Sequence, residues 1–334
     1  MMCLRAEVHI LWVILHFLML SKGMMAQINH KSEYDIKVLA SGLGFPEGPI
    51  AIADGSVLFV EMANGSLSKV DVEGNVSVVA KLGGGPNGAA LGPDGAVYVC
   101  NNGGLQWFKR GEILIPGEAA PEYKGGYIQR VEIATGEVEK IYTQCNGRNL
   151  SAPNDIVFDE TGGMWFSDQG KYFSTYKDHG AIYYAMPDGS FISLQAEKLD
   201  TPNGIRLSED GKTLFYAETS TGRIWSYKIP KPGQLDLSSK KLVIGLAGHQ
   251  LFDSFALEDS GNICAAVLIN GGISVISPDG MVIKHIETND NLTTSICFGG
   301  ANMQTAYITL GGTGKLISIP WDASGLRLNF GKIH

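Results

Sequence analysis

The sequence lacks the motifs of the common hydrolase classes and the charge pattern of a nucleic-acid-binding protein. Its 334 residues contain no G-x-S-x-G segment and no H-E-x-x-H pair, so neither a serine-hydrolase elbow nor a zinc-protease helix is expected. Lys and Arg number 26 against 34 Asp and Glu, which leaves a net charge of −8. Because the basic residues are scattered rather than gathered in a stripe, no nucleic-acid partner is expected.

Cysteine is sparse, and the cellular compartment stays open. The five cysteines include no C-x-x-C pair, and Cys100 and Cys264 at apolar strand positions are expected to be free buried thiols. The N-terminal apolar run, residues 10–20, is too short to span a membrane. Residues 1–26 are therefore either a signal peptide, which predicts a secreted or periplasmic protein, or an extension before a true start at Met24 or Met25, which predicts a cytoplasmic one.

The sequence does contain one phrase that recurs six times. Each copy reads as a short apolar strand, a tight turn at Asp-Gly or a similar pair, and a second apolar strand. Successive copies lie between 40 residues apart, from Gly48 to Gly88, and 67 residues apart, from Gly88 to Asp155. The copies begin at Glu47, Asn87, Asn154, Asn203, Asp253 and Thr294. This period is typical of the blades of a β-propeller.

A second hairpin pattern follows every copy, as a four-stranded blade requires. We therefore predict an all-β protein, a six-bladed β-propeller with four antiparallel strands in each blade. One further strand, residues 35–40, is left over at the N-terminal side. We expect it to pair with the last blade and to close the ring, which removes the open sheet edge. Residues 27–334 are predicted to form this single catalytic domain.

The propeller geometry brings distant residues together at one end of the central channel. If the first strand of each phrase lines the channel, the residue that opens each phrase lies at the channel mouth, and these six residues form a ring. The second strands end near Glu61, Asn101, Asp168, Glu218 and Asn270, which would form an outer polar shell. A ring of side-chain oxygens with two carboxylates suits a divalent cation, Ca²⁺ above all. Without His or Cys the ring suits zinc less well, and the alternative interpretation is that Pro-Asn-Gly is ordinary turn chemistry.

Four of the phrases resemble a known family, the senescence marker protein, gluconolactonase and luciferin-regenerating enzyme group of six-bladed propellers. The similar segments are FPEGP (45–49), APNDIVFDETGGMWFSD (152–168), TPNGIRLSEDGKTLFYAE (201–218) and FDSFALEDSGNICAA (252–266). The resemblance implies that Glu47, Asn154, Asn203 and Asp253 bind a metal, most often Ca²⁺, with Mg²⁺, Mn²⁺ or Zn²⁺ as alternatives. The sequence departs from the family pattern at Phe-Asp-Ser (252–254), where many relatives have Pro-Asp-Gly, and this departure puts the turn at that point in doubt.

Members of this family are mostly lactone hydrolases, so the resemblance implies a small lactone as substrate. A bound cation would activate the lactone carbonyl, and Asp253 would act either as general base on a water molecule or as nucleophile. Asn87 is predicted to orient the substrate. Two other functions stay open: a phosphotriesterase-like hydrolase of the diisopropyl-fluorophosphatase type, and a non-catalytic calcium-binding propeller.

Long segments on the mouth side predict a lid or pocket wall. Residues 101–125 join two strands there, and residues 168–180 lie on the same face. They bring aromatic side chains, including Trp107 and Tyr172, to the entrance, where they would contact either an aldonolactone or a more hydrophobic lactone. Asn101, Asp168 and Glu218 are the other predicted substrate contacts. The protein is expected to be a monomer or a small homo-oligomer, without a membrane span.

Overall fold

The strands predicted from the repeat are present in the structure, a computed structural model that describes residues 34–331. No helix occurs in this part of the chain, and the predicted leader lies outside it. The strands are β1 Lys37–Ser41, β2 Pro46–Ala51, β3 Val57–Glu61, β4 Ser66–Val70, β5 Val76–Lys81, β6 Pro86–Leu91, β7 Val97–Asn101, β8 Leu105–Arg110, β9 Ile113–Ala119, β10 Tyr127–Val131, β11 Val138–Tyr142, β12 Gln144–Cys145, β13 Arg148–Asn149, β14 Pro153–Phe158, β15 Met164–Asp168, β16 Gly180–Ala185, β17 Ile192–Leu199, β18 Pro202–Leu207, β19 Thr213–Glu218, β20 Arg223–Lys231, β21 Gln234–Gly245, β22 Leu251–Leu257, β23 Ile263–Leu268, β24 Gly272–Ile276, β25 Val282–Ile286, β26 Thr293–Gly299, β27 Thr305–Leu310 and β28 Lys315–Pro320.

Six four-stranded antiparallel sheets form the blades of a propeller. Their orders, from the channel outward, are β2-β3-β4-β5, β6-β7-β10-β11, β14-β15-β16-β17, β18-β19-β20-β21, β22-β23-β24-β25 and β26-β27-β28-β1. Each innermost strand contacts the innermost strands of the blades on either side, and β26 contacts β2, so the ring is closed. The prediction of a six-bladed propeller closed by an N-terminal strand is confirmed, because β1 pairs with β28 as the outer strand of the sixth blade.

The blades are held together by apolar side chains that lie between neighbouring sheets. Trp165 of the third blade and Tyr216 of the fourth are fully buried in one such cluster. The two strands of a blade nearest the channel are buried, as in Pro46–Ala51 and Val57–Glu61, whereas an outer strand such as Val76–Lys81 is largely exposed. The inner strands therefore read as nearly continuous apolar runs, and their few polar side chains stand out as residues of the channel.

Small residues let adjacent inner strands approach closely at the channel mouth. A Cβ atom added to Gly88 on β6 would lie 2.5 Å from the carbonyl oxygen of Asn154 on β14. A Cβ atom on Gly48 would lie 2.7 Å from the carbonyl oxygen of Asn87. Glycine follows the ring residue in these phrases because a larger side chain would push the neighbouring blades apart.

A smaller prediction, on the cysteines, also holds within the described residues. The four cysteines after residue 34 are free thiols, and Cys100 and Cys264 are buried in the strands where they were expected. Nowhere between residues 34 and 331 does a helix have the length and apolar character needed to cross a membrane.

Candidate metal centre and active site

A β-bulge marks every ring position. The pairing of each inner strand with the second strand shifts its register at this point, for example between Pro153 and Ile156 in the third blade and between Phe252 and Phe255 in the fifth. Equivalent shifts occur in the other four blades. Because a bulge adds an unpaired residue and re-aims its side chain, it turns the opening residues of the phrase towards the channel. The Phe-Asp-Ser departure leaves this local geometry unchanged.

Glu47 and Asp253 place two buried carboxyl groups at the channel mouth, close enough for the charge of Asp253 to act on Glu47. They are 3% and 8% exposed. Burial raises the pKa of Glu47 well above its ordinary value, and the charge of Asp253 raises it further. Burial likewise raises the pKa of Asp253, and the charge of Asp155 raises it further. The neighbouring side chain of Asn203 has the opposite effect and lowers this pKa. The Glu47 carboxylate accepts a hydrogen bond from the backbone nitrogen of Gly48 at 3.0 Å.

The amide side chains of the ring differ in their hydrogen bonds. Asn203 lies close enough to Asp253 to lower the pKa of its carboxyl group. Asn154 Nδ2 donates to Gln169 Oε1 at 3.3 Å, which leaves the Asn154 carbonyl oxygen for a ligand. Asn87 is buried, and its side chain makes no hydrogen bond to any group between residues 34 and 331. It is therefore the ring amide with both polar atoms open to a bound molecule.

The donor set of the ring fits a hard divalent cation. No three His, Cys, Asp or Glu side chains cluster within residues 34–331, so any metal site there must include amide or water oxygens. In the same region neither Glu47 nor Asp253 forms an ion pair with Lys, Arg or His. Two neighbouring buried carboxyl groups are stabilised by a shared proton or by a cation. Carboxylate and amide oxygens are the ligands that Ca²⁺ takes with loose geometry.

Thr294, the sixth ring residue, has a different environment. Its hydroxyl lies 3.0 Å from the carbonyl oxygen of Pro46 in the first blade and 2.9 Å from the hydroxyl of Thr309. Its hydrogen bond with Glu47 lowers the pKa of that carboxyl group. Thr294 thus joins the last blade to the first beside Glu47.

The polar residues at the ends of the second strands brace the loops that lead into the ring. Asp168 accepts hydrogen bonds from the backbone nitrogens of Ser151 and Ala152, both at 2.7 Å. Asn101 Oδ1 accepts one from the Gly85 nitrogen at 2.9 Å, and Glu218 accepts one from Trp225 Nε1 at 2.8 Å. Asp168 and Asn101 therefore hold the chain just before the third and second ring positions. Their direct contact with substrate, and that of Glu218, stays a prediction.

The long segment after β7 forms a hairpin, β8–β9, that lies across the mouth. The Leu114 nitrogen donates to the carbonyl oxygen of Gly312 in the sixth blade at 3.0 Å, and the Ala119 nitrogen donates to that of Tyr172 in the third at 2.9 Å. The ring centroid of Trp107 lies 5.1 Å from that of Phe45, two residues before Glu47. Trp107 and Tyr172 are thus both associated with this mouth hairpin, which the sequence indicated only as a long loop.

Lys171 anchors the base of the mouth hairpin. It is 1% exposed, and its Nζ donates to the carbonyl oxygens of Asn102 at 2.7 Å and Gly104 at 2.6 Å. A third bond goes to Asn102 Oδ1 at 3.2 Å. Burial lowers the pKa of Lys171 to about 7, against the opposing charge of Asp168. Sequence reasoning missed this residue, because nothing in DQGKYFS marks the lysine as buried.

A second missed feature lies directly behind the ring, inside the channel. Asp155, the residue after Asn154, is 2% exposed and forms an ion pair with Arg206 at 2.7 Å. Ser254 Oγ donates to the same carboxylate oxygen at 2.6 Å. The available signal was the residue after each ring position, which is Gly or Ser in the other five phrases and Asp only here.

A cavity of about 1150 Å³ opens at the other end of the channel. Strand ends and turns of the blades line it together with residues 326–331 near the C-terminus, and none of the predicted ring or substrate residues does. Arg206 reaches it from the channel side. The candidate site and this cavity are therefore separate compartments of the propeller.

Comparisons with known proteins agree with the fold and place the ring in a family context. Residues 45–312 match the model of the SMP-30/Gluconolactonase/LRE-like region. The gluconolactonase of Zymomonas mobilis is 25% identical over 308 residues, which is 82% of this chain and 78% of that protein. Lactonase drp35 of Staphylococcus haemolyticus is 25% identical over 254 residues, which is 75% of this chain and 71% of that protein.

Two solved structures show the same propeller fold. A gluconolactonase from Xanthomonas campestris has a TM-score of 0.69 at 23% identity and covers 85% of this chain and 89% of its own. Regucalcin from Agrobacterium tumefaciens, described as a calcium-binding protein, has a TM-score of 0.72 at 17% identity and covers 90% of this chain and 98% of its own. Because the family match spans all six ring positions, this chain belongs to the SMP-30/gluconolactonase/LRE-like family.

Proposed function

We propose that this protein is a hydrolase that opens a lactone ring with the help of a divalent metal ion held at the channel mouth. The observation that carries the proposal is the pair of buried carboxyl groups of Glu47 and Asp253. The charge of Asp253 raises the pKa of Glu47, and neither group has a cationic partner within residues 34–331. Relatives at 25% identity that are named gluconolactonase and lactonase support the choice of reaction.

Glu47, Asn154, Asn203 and Asp253 would hold the ion. All four offer oxygen atoms, so Ca²⁺ is the expected metal; Mg²⁺ and Mn²⁺ bind similar donors, and Zn²⁺ is disfavoured by the absence of nitrogen and sulfur ligands. When bound, the ion supplies positive charge that polarises the lactone carbonyl and stabilises the negative charge developing on its oxygen.

Asp253 carries the attack on the carbonyl carbon by one of two routes. As a general base it takes a proton from the attacking water. As a nucleophile it forms a mixed anhydride with the carbonyl carbon while the ring oxygen leaves as the new hydroxyl group, and water then cleaves the anhydride. A single turnover in ¹⁸O-labelled water with enzyme in excess tests for the nucleophilic route. Label found in the Asp253 side chain supports the anhydride. If Asp253 stays unlabelled, trapping of the acyl intermediate with hydroxylamine separates an anhydride cleaved at the substrate carbonyl from the general-base route.

The remaining residues of the mouth would bind and enclose the substrate. The free amide of Asn87 would orient the lactone by hydrogen bonds. The mouth hairpin would cover the ring and limit the access of bulk water. Trp107 lies on its first strand, and the carbonyl oxygen of Tyr172 accepts a hydrogen bond from Ala119 at its end. Since aromatic rings stack on sugar rings and also enclose apolar chains, both an aldonolactone and a hydrophobic lactone fit this arrangement.

A pH-indicator assay on a substrate panel tests the proposal. The panel contains aldonolactones, alkyl lactones and a fluorophosphate, each with untreated enzyme, after EDTA treatment and after added calcium. We expect lactone hydrolysis that EDTA abolishes and calcium restores. Activity that survives complete metal removal, verified by elemental analysis, would contradict the mechanism. Cleavage of the fluorophosphate alone would support the phosphotriesterase-like alternative, and calcium binding without turnover would support the non-catalytic one.

A further inference from the structure

One buried carboxylate connects three of the strands that bear the proposed metal ligands. Asp155 Oδ2 accepts hydrogen bonds from Arg206 Nη1 at 2.7 Å, from Ser254 Oγ at 2.6 Å and from the Ile205 nitrogen at 3.3 Å. Asp155 directly follows Asn154 on β14, Ser254 directly follows Asp253 on β22, and Ile205 and Arg206 lie two and three positions after Asn203 on β18. A single side chain thus contacts the chain beside three of the four ligands.

Arg206 supplies the positive charge that this carboxylate needs inside the channel. Its side chain is 12% exposed and that of Asp155 is 3% exposed, so the pair lies almost entirely out of water. Arg206 Nη1 also donates to the carbonyl oxygen of Ile205 at 2.6 Å. The guanidinium group is planar and holds its donors in a fixed geometry. The pair is therefore a rigid connection between β14 and β18 and not an exposed ion pair that exchanges with solvent.

The position of Asp155 explains why only one phrase carries a charge there. The equivalent residues of the other phrases are Gly48, Gly88, Gly204, Ser254 and Ser295. The glycines let adjacent strands approach closely, and their backbone fills the space. Asp155 is the one carboxylate among these six residues, and the serine at the equivalent place in the fifth phrase, Ser254, donates a hydrogen bond to it. This bond connects two blades across the channel, while the small residues of the other phrases leave room for the ring.

We propose that Asp155 and Arg206 are positioning residues for the metal site. Through Ser254 and Ile205 they set the separation of β14, β18 and β22, and so the separation of Asn154, Asn203 and Asp253. Arg206 also offsets part of the charge of Asp155, which would otherwise act more strongly on Glu47 and Asp253. This inference rests on the proposed function, because it concerns the geometry of the same ring.

Calorimetric titration of the metal-free protein with Ca²⁺ tests this role independently of turnover. Asp155→Asn and Arg206→Gln each break the pair. We expect both to weaken calcium binding, by about ten- to hundred-fold, as changes to residues that orient metal ligands do. The two variants change the charge beside the ring in opposite directions. A purely electrostatic role predicts opposite changes in affinity, and that result would overturn the positioning role.

A milder pair of variants keeps the test decisive if the charge variants fail to fold. Ser254→Ala removes the hydroxyl that reaches Asp155 and should weaken calcium binding several-fold. Ser295→Ala is the matched control, because Ser295 occupies the same place in the sixth phrase, is equally buried, and its hydroxyl makes no bond to Asp155. Its affinity should equal that of the wild type.

The outcomes separate this inference from the proposed function. Wild-type protein that binds no divalent cation would overturn both. Wild-type binding with unchanged affinity in the Asp155, Arg206 and Ser254 variants, together with a lower melting temperature, would make the cluster merely structural and overturn only the positioning role. Weaker binding in these variants and not in Ser295→Ala would support it.

Discussion

Replacement of Lys171 by Met removes a buried ammonium group from the base of the mouth hairpin. The side chains are of similar length, so the change mainly removes the charge and the three donors that reach Asn102 and Gly104. The free-energy cost of burying the charge depends on pH, because it acts only while the lysine is protonated. The neutral amine has two donors instead of three, so the hydrogen bonds change with the same proton.

The magnitude follows from the difference between the two pKa values of Lys171. Burial lowers the pKa in the folded protein to about 7, from 10.5. Between these values the unfolded chain holds a proton that the folded protein has lost, so the free energy of unfolding rises with pH. The cost of burying the charge is fully present below about pH 7 and is relieved as the pH rises towards 10.5. From about pH 7 to about pH 9 the relief amounts to roughly 2 kcal/mol.

Urea unfolding of the wild type and of Lys171→Met, near pH 7 and near pH 9, measures this term. We expect the stability of the wild type relative to the variant to increase by roughly 2 kcal/mol between the two conditions, because all other titrating groups cancel in the comparison. Lys212→Met, at an exposed lysine, is the control and should show no such change. A difference between wild type and Lys171→Met that is the same at both pH values would refute the argument.

Three further predictions concern the site and the ring. Asp253→Asn should lower kcat by at least about a thousand-fold, while an unchanged melting temperature shows that the fold is intact. Asp259→Asn is the control, because it changes an exposed carboxylate of the same blade, and it should behave as wild type. Shortening the mouth hairpin within residues 106–118 should raise KM for the true substrate and leave calcium affinity unchanged; an unchanged KM would remove the role of the hairpin as a lid. Leu316→Ala removes a fully buried side chain of β28 opposite Ala40 of β1. It should lower the free energy of unfolding, measured in urea, by about 2–5 kcal/mol. A decrease below about 1 kcal/mol would be evidence against tight closure of the sixth blade.

The repeat made the fold predictable because its information is local. A strand, an Asp-Gly turn and a second strand are specified within about fifteen residues, and the closing strand β1 followed from the count of strands. The opening residues of the phrases could be assigned to one ring for the same reason. The charge of Asp253 raises the pKa of Glu47 and Asn203 lowers that of Asp253, so the three side chains influence one another, while their role as metal ligands stays a prediction.

The features that escaped prediction depend on contacts between distant segments. The Asp155 carboxylate is visible in the sequence, but its partner Arg206 lies in the next blade, and no local rule pairs them before the strands are in register. Lys171 becomes a buried lysine only because the mouth hairpin folds over it. Asp168 was correctly placed near the mouth, yet the sequence could not show that its oxygens bind backbone nitrogens of the loop before the third ring position.

The pairing of β1 with β28 determines when the propeller can be completed. Lys37 pairs with Ser318, so β1, the first strand of the described residues, pairs with β28, the last one. Blades one to five contain only consecutive segments and can form while the chain is still being made, but the sixth must close a loop that spans the whole ring. The proposed metal ligands Glu47 and Asp253 lie in the first and fifth blades, on either side of the sixth, so we expect their final separation to depend on this closing step. A chain without β28 would leave β1 without its partner and the sixth blade incomplete.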